Sequence, residues 1–472
     1  MTPGPIGDQR VVVGVDDHGV VVAGPQQAVL ALGPPRSGKT SAVVVPNLLA
    51  AWGPVLSTST KPDVLAATAA ARLRRGRCWL YDPTGTVPVP PGLTALRWSP
   101  VEGARRWDGA LLLARALVGA GRPAAGLTDA THWTERAEAL LAPLLHAAAV
   151  AGDDATTVLG WVNRRDGRPA ADRLAGTGTA ADLLAGIMAT DKRELSGIWS
   201  TASGVLAAYR SDAALASAAA PNFDARAFVA SGDTVYVCAS GRHQELVAPL
   251  VVGLVEEVRA AAFERAAARV AAGMGARPGA DLPPGLWNPE PPLLLALDEV
   301  ANVAPLPDLP ALVSEGGGQG VLTLACLQDL SQARRRWGAA ADGFGSLFGA
   351  TVVLPGIGDV RTLEALSVLC GSHDVWVRSD SRSGWAPGGR SRSHTWSTRR
   401  QRRLAPDEVA HGRAGYGLLV GGGRVPAWTP LPPWWAVPGW RPAVPQRPSI
   451  PPPGARQRSR GSPGPPVGWT RP

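Results

Sequence analysis

The stretch "LALGPPRSGKTSAVVVPNLL" (Leu30–Leu49) runs from an apolar segment through a Gly/Pro-rich turn directly into a helical pattern. Its centre, Gly33-Pro34-Pro35-Arg36-Ser37-Gly38-Lys39-Thr40, fits G-x-x-x-x-G-K-[ST] at every defined position, and Ser41 follows it. The preceding "AVLAL" reads as a buried strand and the following residues as a helix start, which is the strand–loop–helix setting of a phosphate-binding loop. In that setting successive backbone N–H groups form an anion nest, reinforced by the positive end of the helix dipole. Lys39 then reaches the β- and γ-phosphates of ATP, and the Thr40 hydroxyl ligates Mg²⁺. The lysine is itself informative. Only Lys39, Lys61 and Lys192 are lysines among 47 basic residues, so this chain writes arginine almost wherever a cation will do. A flexible point charge and a planar fork are not equivalent, and Lys39 therefore needs an explanation.

Hydrolysis needs an acidic metal partner as well as a phosphate cradle. In "PLLLALDEVANV" an apolar strand ends in Asp298-Glu299, with Asp298 expected in the Mg²⁺ shell and Glu299 expected to polarise the attacking water. Alone this pattern is weak, because apolar strands ending in Asp-Glu occur in many folds; beside a full phosphate loop it becomes strong. The next segment, "GVLTLACLQDLSQARRRWG", ends its strand in Gln328, with Gln332 one turn later. Gln328 is read as a γ-phosphate sensor or water-positioning group, against the plainer reading of an amide helix cap.

A chain of 472 residues exceeds one small core and suggests two or three structural units. No uncharged apolar run reaches the length of a bilayer span, and no signal-peptide pattern opens the chain, so a cytoplasmic protein is expected. Cys78, Cys238, Cys326 and Cys370 are widely separated within apolar segments and read as reduced packing residues. The net charge of +9 is unevenly spread. From residue 373 onward 16 arginines face Asp374, Asp380, Asp407 and Glu408, giving +12 and leaving −3 for the first 372 residues. The C-terminal end thus favours a polyanionic partner, nucleic acid or an anionic membrane face, although a basic tail can also be only a solubilising appendage.

Short strand-like runs recur at residues 11–15, 28–32, 53–59, 77–82, 233–240, 292–299, 320–327, 350–355 and 415–421, with helical patterns between them. This alternation predicts an α/β core, a sheet covered on both faces. Between about 101 and 215 the strand signals stop and the pattern reads as an all-helical insertion. Residues 1–100 and 216–428 are accordingly expected to form one discontinuous nucleotide-binding domain, with the insertion at 101–215. Residues 373–403 are rich in Ser, Arg and Gly, with tryptophans interleaved. Residues 429–472 are dominated by Pro and Arg, carry six arginines and no acid, and are expected to be an extended, disordered tail.

Taken together the motifs resemble the type IV coupling proteins of the VirD4/TraG/TraD kind, in particular their actinobacterial members. The resemblance runs from about residue 28 to 428. It rests on "GPPRSGKTSAVVVPNLL", "STSTKPDVLAATAAARLRRGRCWLYDP" with "WSPV", "LLALDEVANVAPLPDLPALVSEGGGQG", "LQDLSQARRRWG", "LPGIGDVRTLEALSVLCG" and "RRLAPDEVAHGRAGYGLLVGGGRVP", in that order. It implies a RecA-like P-loop NTPase fold with an all-helical insertion facing the channel entrance. It implies a hexameric ATPase using ATP and Mg²⁺, with DNA, a relaxase or relaxosome and type IV secretion channel proteins as partners, at the inner face of the membrane. Two features depart from the family. Members usually begin with transmembrane helices, whereas here 32 residues precede the loop, so the anchor is expected to be absent, encoded separately or lost to a misassigned start. The glycine turn after the Asp-Glu strand often carries an arginine acting on a neighbour's nucleotide, and "EGGGQG" (315–320) has none.

The leading reading is an ATP-driven translocase of DNA, single strands favoured. The alternatives are a double-strand pump of the FtsK type or a protein-secretion motor, and a non-catalytic assembly adaptor stabilised by its nucleotide. Because Lys39 and the metal leave γ-phosphate charge to neutralise, a cation from another subunit is expected, with Arg361 preferred over Arg334, Arg335 and Arg336. Trp376, Trp385 and Trp396 are candidates for base stacking.

Overall fold

In the computed structural model the described residues are 10–121, 128–175, 178–239, 241–274, 291–383, 391–438 and 440. Strands follow in the order β1 (Val12–Asp16), β2 (Gly19–Val22), β3 (Val29–Leu32), β4 (Val55–Ser59), β5 (Cys78–Tyr81), β6 (Thr94–Ala95), β7 (Thr234–Cys238), β8 (Leu293–Leu297), β9 (Val321–Leu327) and β10 (Ala350–Val353). They continue with β11 (Ser372–Ser383), β12 (Ser391–Arg402), β13 (Tyr416–Gly421) and β14 (Arg424–Pro430). Ten of them make one sheet in the order β14-β13-β10-β3-β9-β8-β4-β7-β5-β6. It is parallel from β10 to β6, and β13 and β14 add an antiparallel edge. The expected α/β class is therefore what the chain forms.

Strand composition follows from burial on both faces. In β3, Leu30 and Leu32 join one apolar layer while Val29 and Ala31 join the other, as a period of two requires. The starts of β4 and β7 are tied together by Arg72. Its fully buried guanidinium donates to the Thr234 hydroxyl at 2.7 Å and to the Ala51, Gly53 and Gly232 carbonyls at 2.5, 2.7 and 3.0 Å. All four cysteines are free and buried.

Three sequence readings change, and one segment left without an element acquires one. The segment expected as a core strand at 11–15 instead pairs with β2 in a hairpin of its own. Asn47, on the helix after the glycine loop, exchanges hydrogen bonds with Val12 N and O at 2.8 and 2.9 Å and so holds that hairpin to the sheet's flank. Helices between β6 and β7 do not stop at 215; those at Asp212–Ala218 and Ala225–Val229 continue almost to β7. Within the Ser/Arg-rich segment, to which no element was assigned, β11 and β12 pair as a long antiparallel hairpin. Finally, the tail does not begin at 429: Thr429 and Pro430 belong to β14, and Leu431 and Trp440 are buried. Residues 441–472, most of the expected disordered tail, lie outside the described residues, as does Trp385.

Glu257, on the Gln244–Met274 helix, accepts from Trp98 Nε1 at 2.7 Å, and burial pushes its carboxyl up to about 7. Between the ordinary glutamate value and 7 the folded chain holds a proton that the unfolded chain has released. Stability contributed at this site therefore falls as pH rises through that window, and the loss is complete above about 7. Glu257→Gln keeps an acceptor for Trp98 and removes the titration. The variant is expected to gain on the parent by up to about 3 kcal/mol at pH 8 and to match it near pH 4. Denaturant titrations at the two pH values read this; an unchanged difference would refute it.

Candidate functional site

The Gly33–Thr40 loop joins β3 to a helix that opens as a π-helical turn, Lys39–Val44, and continues as α-helix over Val45–Ala50. Two residues of the loop take positive φ, Arg36 at 66° and Gly38 at 100°. The first is costly for a residue with a Cβ, of order 1–3 kcal/mol, and glycine is the natural occupant of the second. Gly33 is fixed by space: a Cβ there would lie 2.6 Å from the Ser37 hydroxyl oxygen and 3.0 Å from Leu354 Cβ. Lys39 is buried, its ammonium folded back onto the loop's own carbonyls, those of Gly33 and of Pro34, the latter at 3.1 Å. Pro35 and Arg36 lie on the exposed crest of the loop, and Ser41 Oγ donates to Gly38 O at 3.3 Å.

Asp298 stands just past the end of β8, two strands from β3, with β9 between them. Thr40 Oγ1 donates to Asp298 Oδ2 at 2.8 Å, joining residues 258 apart in sequence. Burial pushes the Asp298 carboxyl up to about 6, with the Thr40 hydrogen bond opposing the shift and the neighbouring Glu299 adding to it. Glu299 has φ 53° and ψ 45°, a left-handed conformation rare for glutamate, and Asn302 Nδ2 donates to its Oε2 at 3.3 Å. Backbone strain and a buried carboxylate thus meet at adjacent positions, a combination that structural needs alone do not call for.

The donor set can be tested against the groups expected here. The Thr40 hydroxyl and the Asp298 carboxylate are hard oxygen donors of the kind Mg²⁺ takes. Ser37 Oγ is buried with no hydrogen-bond partner, an orphan donor inside the loop, and the Lys39 ammonium beside it is held only by carbonyls. A polyphosphate with its metal fits this set.

The structure brings Gly33, Lys39, Thr40, Asp298 and Glu299 into one corner and sets Gln328 at its edge. Gly33 N donates to Leu327 O at 3.2 Å, so Gln328 follows directly on the contact between β9 and the loop. Its own N–H is capped by Gln332 Oε1 at 2.9 Å, so the capping amide is Gln332. The four arginines divide. Arg334 is held by Asp359 at 2.5 Å, and Arg336 donates to the Gly119 and Ala120 carbonyls of the helical region. Arg335 and Arg361 are exposed and have no partner among the described residues; Arg361 is the second residue of the Val360–Leu369 helix, which Asp359 caps.

Sequence reasoning missed two supports. Thr58, at the end of β4, donates to Asp298 O at 3.1 Å, and a hydroxyl within "STST" at a strand end was the signal for it. Gly356, with φ 97°, lies so close to the loop that a Cβ would be 3.0 Å from Pro34 Cγ; only the "GIG" spacing hinted at that approach.

Two family profiles match the chain. One, described as Type IV secretory system Conjugative DNA transfer, matches residues 6–152 and includes the glycine loop. The other, described as the TraM recognition site of TraD and TraG, matches residues 292–411 and includes Asp298, Glu299, Gln328 and Arg361. No curated protein matches. Among solved structures the chain is similar to the bacterial conjugative coupling protein TrwBΔN70 in an unbound form, with 19% identity, TM-score 0.64, and 89% of this chain and 88% of that one covered. It is also similar to plasmid coupling protein TrwB in complex with the ATP analogue ADPNP, at 19% identity, TM-score 0.62 and coverage of 86% and 85%. TrwB in complex with ADP and Mg²⁺ is alike at 20% identity, with TM-score 0.62 and coverage of 86% and 85%. At these identities the likeness is one of fold, and the fold is the RecA-like one.

Lys39→Ala removes the cation of the loop and is expected to weaken binding of a fluorescent ATP analogue by about 10- to 100-fold. Asp298→Asn keeps an acceptor for Thr40 but is expected to abolish the dependence of that binding on Mg²⁺. Anisotropy titrations with and without the metal separate the two, and identical behaviour of the variants would dissolve the distinction.

Proposed function

The chain belongs to the type IV coupling proteins of conjugative DNA transfer, and from that premise we propose that it is a hexameric ATPase that draws DNA, single-stranded and accompanied by its relaxase, into a type IV secretion channel. The observation that carries the reading is the Thr40–Asp298 hydrogen bond, which sets a phosphate-loop hydroxyl and a buried strand-end carboxylate together as a metal-nucleotide site requires. The TrwB complexes with ADPNP and with ADP and Mg²⁺ support ATP and Mg²⁺ as its ligands.

In this mechanism Lys39 exchanges the Gly33 and Pro34 carbonyls for phosphate oxygens. Thr40 and Asp298 would hold Mg²⁺, which would supply neutralising charge to the bound phosphates. Glu299 orients and polarises the attacking water, with Asn302 steadying its carboxylate, and Gln328 senses the γ-phosphate from the end of β9. Arg361, exposed on a helix whose preceding loop touches Pro34, completes a neighbour's site. The helical region between β6 and β7 faces the channel entrance and its partners. Among the described residues no helix is long and apolar enough to cross a membrane.

The deciding experiment is ATP turnover with and without single-stranded DNA. Stimulation by single strands is expected; stimulation by duplex alone would favour the double-strand pump, and turnover indifferent to DNA would favour the adaptor. Glu299→Gln should bind nucleotide as the parent does while losing about 100-fold or more in turnover; equal turnover would remove Glu299 from the mechanism.

The shared arginine has its own test. Arg361→Ala and Lys39→Ala subunits are each expected to be nearly inactive alone, since a trans arginine contributes about 1000-fold or more. Mixed, an Arg361→Ala protomer keeps its own loop and receives an arginine from a Lys39→Ala neighbour, so activity should return. No recovery despite co-assembly would exclude Arg361 and leave Arg335 as the remaining unpaired candidate of the four.

A further inference from the structure

We propose that the β11–β12 hairpin is an arm that binds single-stranded nucleic acid by stacking bases on Trp376 and Trp396, an inference that rests on the DNA-transfer reading and names a contact site for its substrate.

The arm is unusual in what it leaves uncovered. Its strands pair in unbroken register from Ser372 opposite Arg402 to Ser383 opposite Ser391, twelve residues on each side. From Asp374 to Asp380 and from His394 to Arg402 every side chain is exposed except Val375, which is half-buried. A two-stranded hairpin without a sheet or helix against it is marginal in water, so such an arm needs something to lie on it. Its base is firmly held. Arg402 pairs with Glu364 at 2.6 Å, Arg403 N donates to Gly371 O at 2.9 Å, and Ser367 Oγ donates to Leu404 O at 2.6 Å.

Alternation of side chains fixes what each face offers. The register pairs Asp374 with Arg400, Trp376 with Thr398, Arg378 with Trp396 and Asp380 with His394, and these four rungs share one face. The two indoles therefore occupy neighbouring rungs in a diagonal relation, about 7–8 Å apart. Trp376 is 68% exposed and Trp396 60%, and neither meets another ring or a cation among the described residues. Arg400, on the rung beside Trp376, is exposed and has no partner among the described residues. Arg378 lies across from Trp396 and is balanced by Asp380 at 2.9 Å. In sequence, residues 372–402 hold seven arginines against two acidic residues, Asp374 and Asp380.

Flat π surfaces set among cations are the equipment of proteins that grip single strands. Every base has a face to stack, and the phosphates answer the positive charge. A duplex offers no free base faces to these indoles. A protein partner is the competing occupant, the more so because the arm falls within the region whose profile is described by recognition of TraM. The net charge decides against a second copy of the arm, whose excess positive charge would repel its own kind.

The test is anisotropy of a labelled oligothymidylate on the full chain across a salt series, with the mass of the protein followed in the same samples. The double variant Trp376→Ala/Trp396→Ala should lose about 10- to 100-fold in affinity with an unchanged slope of log K against log salt, because no charge is removed. Phenylalanine at both positions should restore much of the binding. Arg400→Gln, on the same face as the indoles, should flatten the slope by about 0.7. Duplex affinity should be indifferent to the tryptophans. Unchanged oligothymidylate binding by the alanine variant, with the parent binding well, would overturn the arm and leave the DNA-transfer reading standing. Lost binding that tracks lost assembly would overturn it in favour of a subunit contact. A parent chain that does not bind single strands at all would overturn both.

Discussion

The arrangement of this molecule depends on one contact, the hydrogen bond from Thr40 to Asp298. Its two residues come from segments separated by the entire helical region, and they meet because β3 and β8 flank β9 in a parallel sheet. All three strands must end at the same level for a hydroxyl on the loop after β3 to reach a carboxylate just past β8. Register enforces this: Val29 to Leu32 pair with Leu324 to Leu327, and Leu293 to Leu297 with Val321 to Ala325. A one-residue slip would exchange the two apolar layers and also separate the hydroxyl from the carboxylate. The fold and the site are thus fixed by the same pairing. The buried carboxyl, raised to about 6, is tolerated because Thr40 and the nearby Lys39 ammonium partly offset its desolvation.

Most of the core was legible because it obeys local rules. Fully buried parallel strands read as continuous apolar runs, and β3, β4, β7, β8, β9 and β10 stood out on that basis. The glycine loop was legible because its chemistry dictates residue types at fixed spacing. What escaped notice lacked both signals. In the β11–β12 hairpin nearly every described side chain is exposed, so neither strand alternates between apolar and polar, and its Ser, Arg and Gly suggested no element. Val12–Asp16 was recognised as a strand but given to the wrong sheet. Its apolar side packs on the flank of the helix after the loop, and only Asn47, 35 residues away, shows that. The tail boundary failed for a related reason, since Leu431 and Trp440 are anchored by packing that their Pro-rich surroundings do not announce.

Arginines show the limit most clearly. As sequence, Arg361 was preferred while Arg334, Arg335 and Arg336 formed one undivided cluster, yet the four have different fates. Asp359 takes Arg334 from 25 residues away, and the Ala120 carbonyl takes Arg336 from 216 away, where burial also lowers that guanidinium to about 10. Arg334 and Arg336 act as internal fasteners, one to the helix after β10 and the other to the helical region. What separates a fastener from a free cation is the presence of an acceptor at close range, a property of the fold. Propensity and motif could raise the candidates; only three-dimensional neighbours could sort them.

The two ends of the sheet are built differently, and the difference bears on how a nucleotide signal can travel. At the starts of β4 and β7, the buried Arg72 gathers three carbonyls and the Thr234 hydroxyl around one guanidinium. At the opposite end, positive φ at Arg36, Gly38 and Glu299, the orphan Ser37 hydroxyl and the folded-back lysine leave groups whose partners a ligand would change. From that end a continuous set of contacts leads outward. Pro34 packs on Gly356, Gly356 N donates to Ala410 O at 2.8 Å, and Asp359, three residues on from Gly356, caps the helix whose Glu364 and Ser367 hold the base of the β11–β12 arm. The links are hydrogen bonds, one van der Waals contact and one exposed ion pair, and the packed ones transmit small displacements because close-packed interiors compress little. A rearrangement of the glycine loop would therefore be felt first at Gly356 and then at Asp359, where Arg361 begins its helix. The strained end is the one that faces the nucleotide, and the arm and the unpaired arginine are both fastened to it.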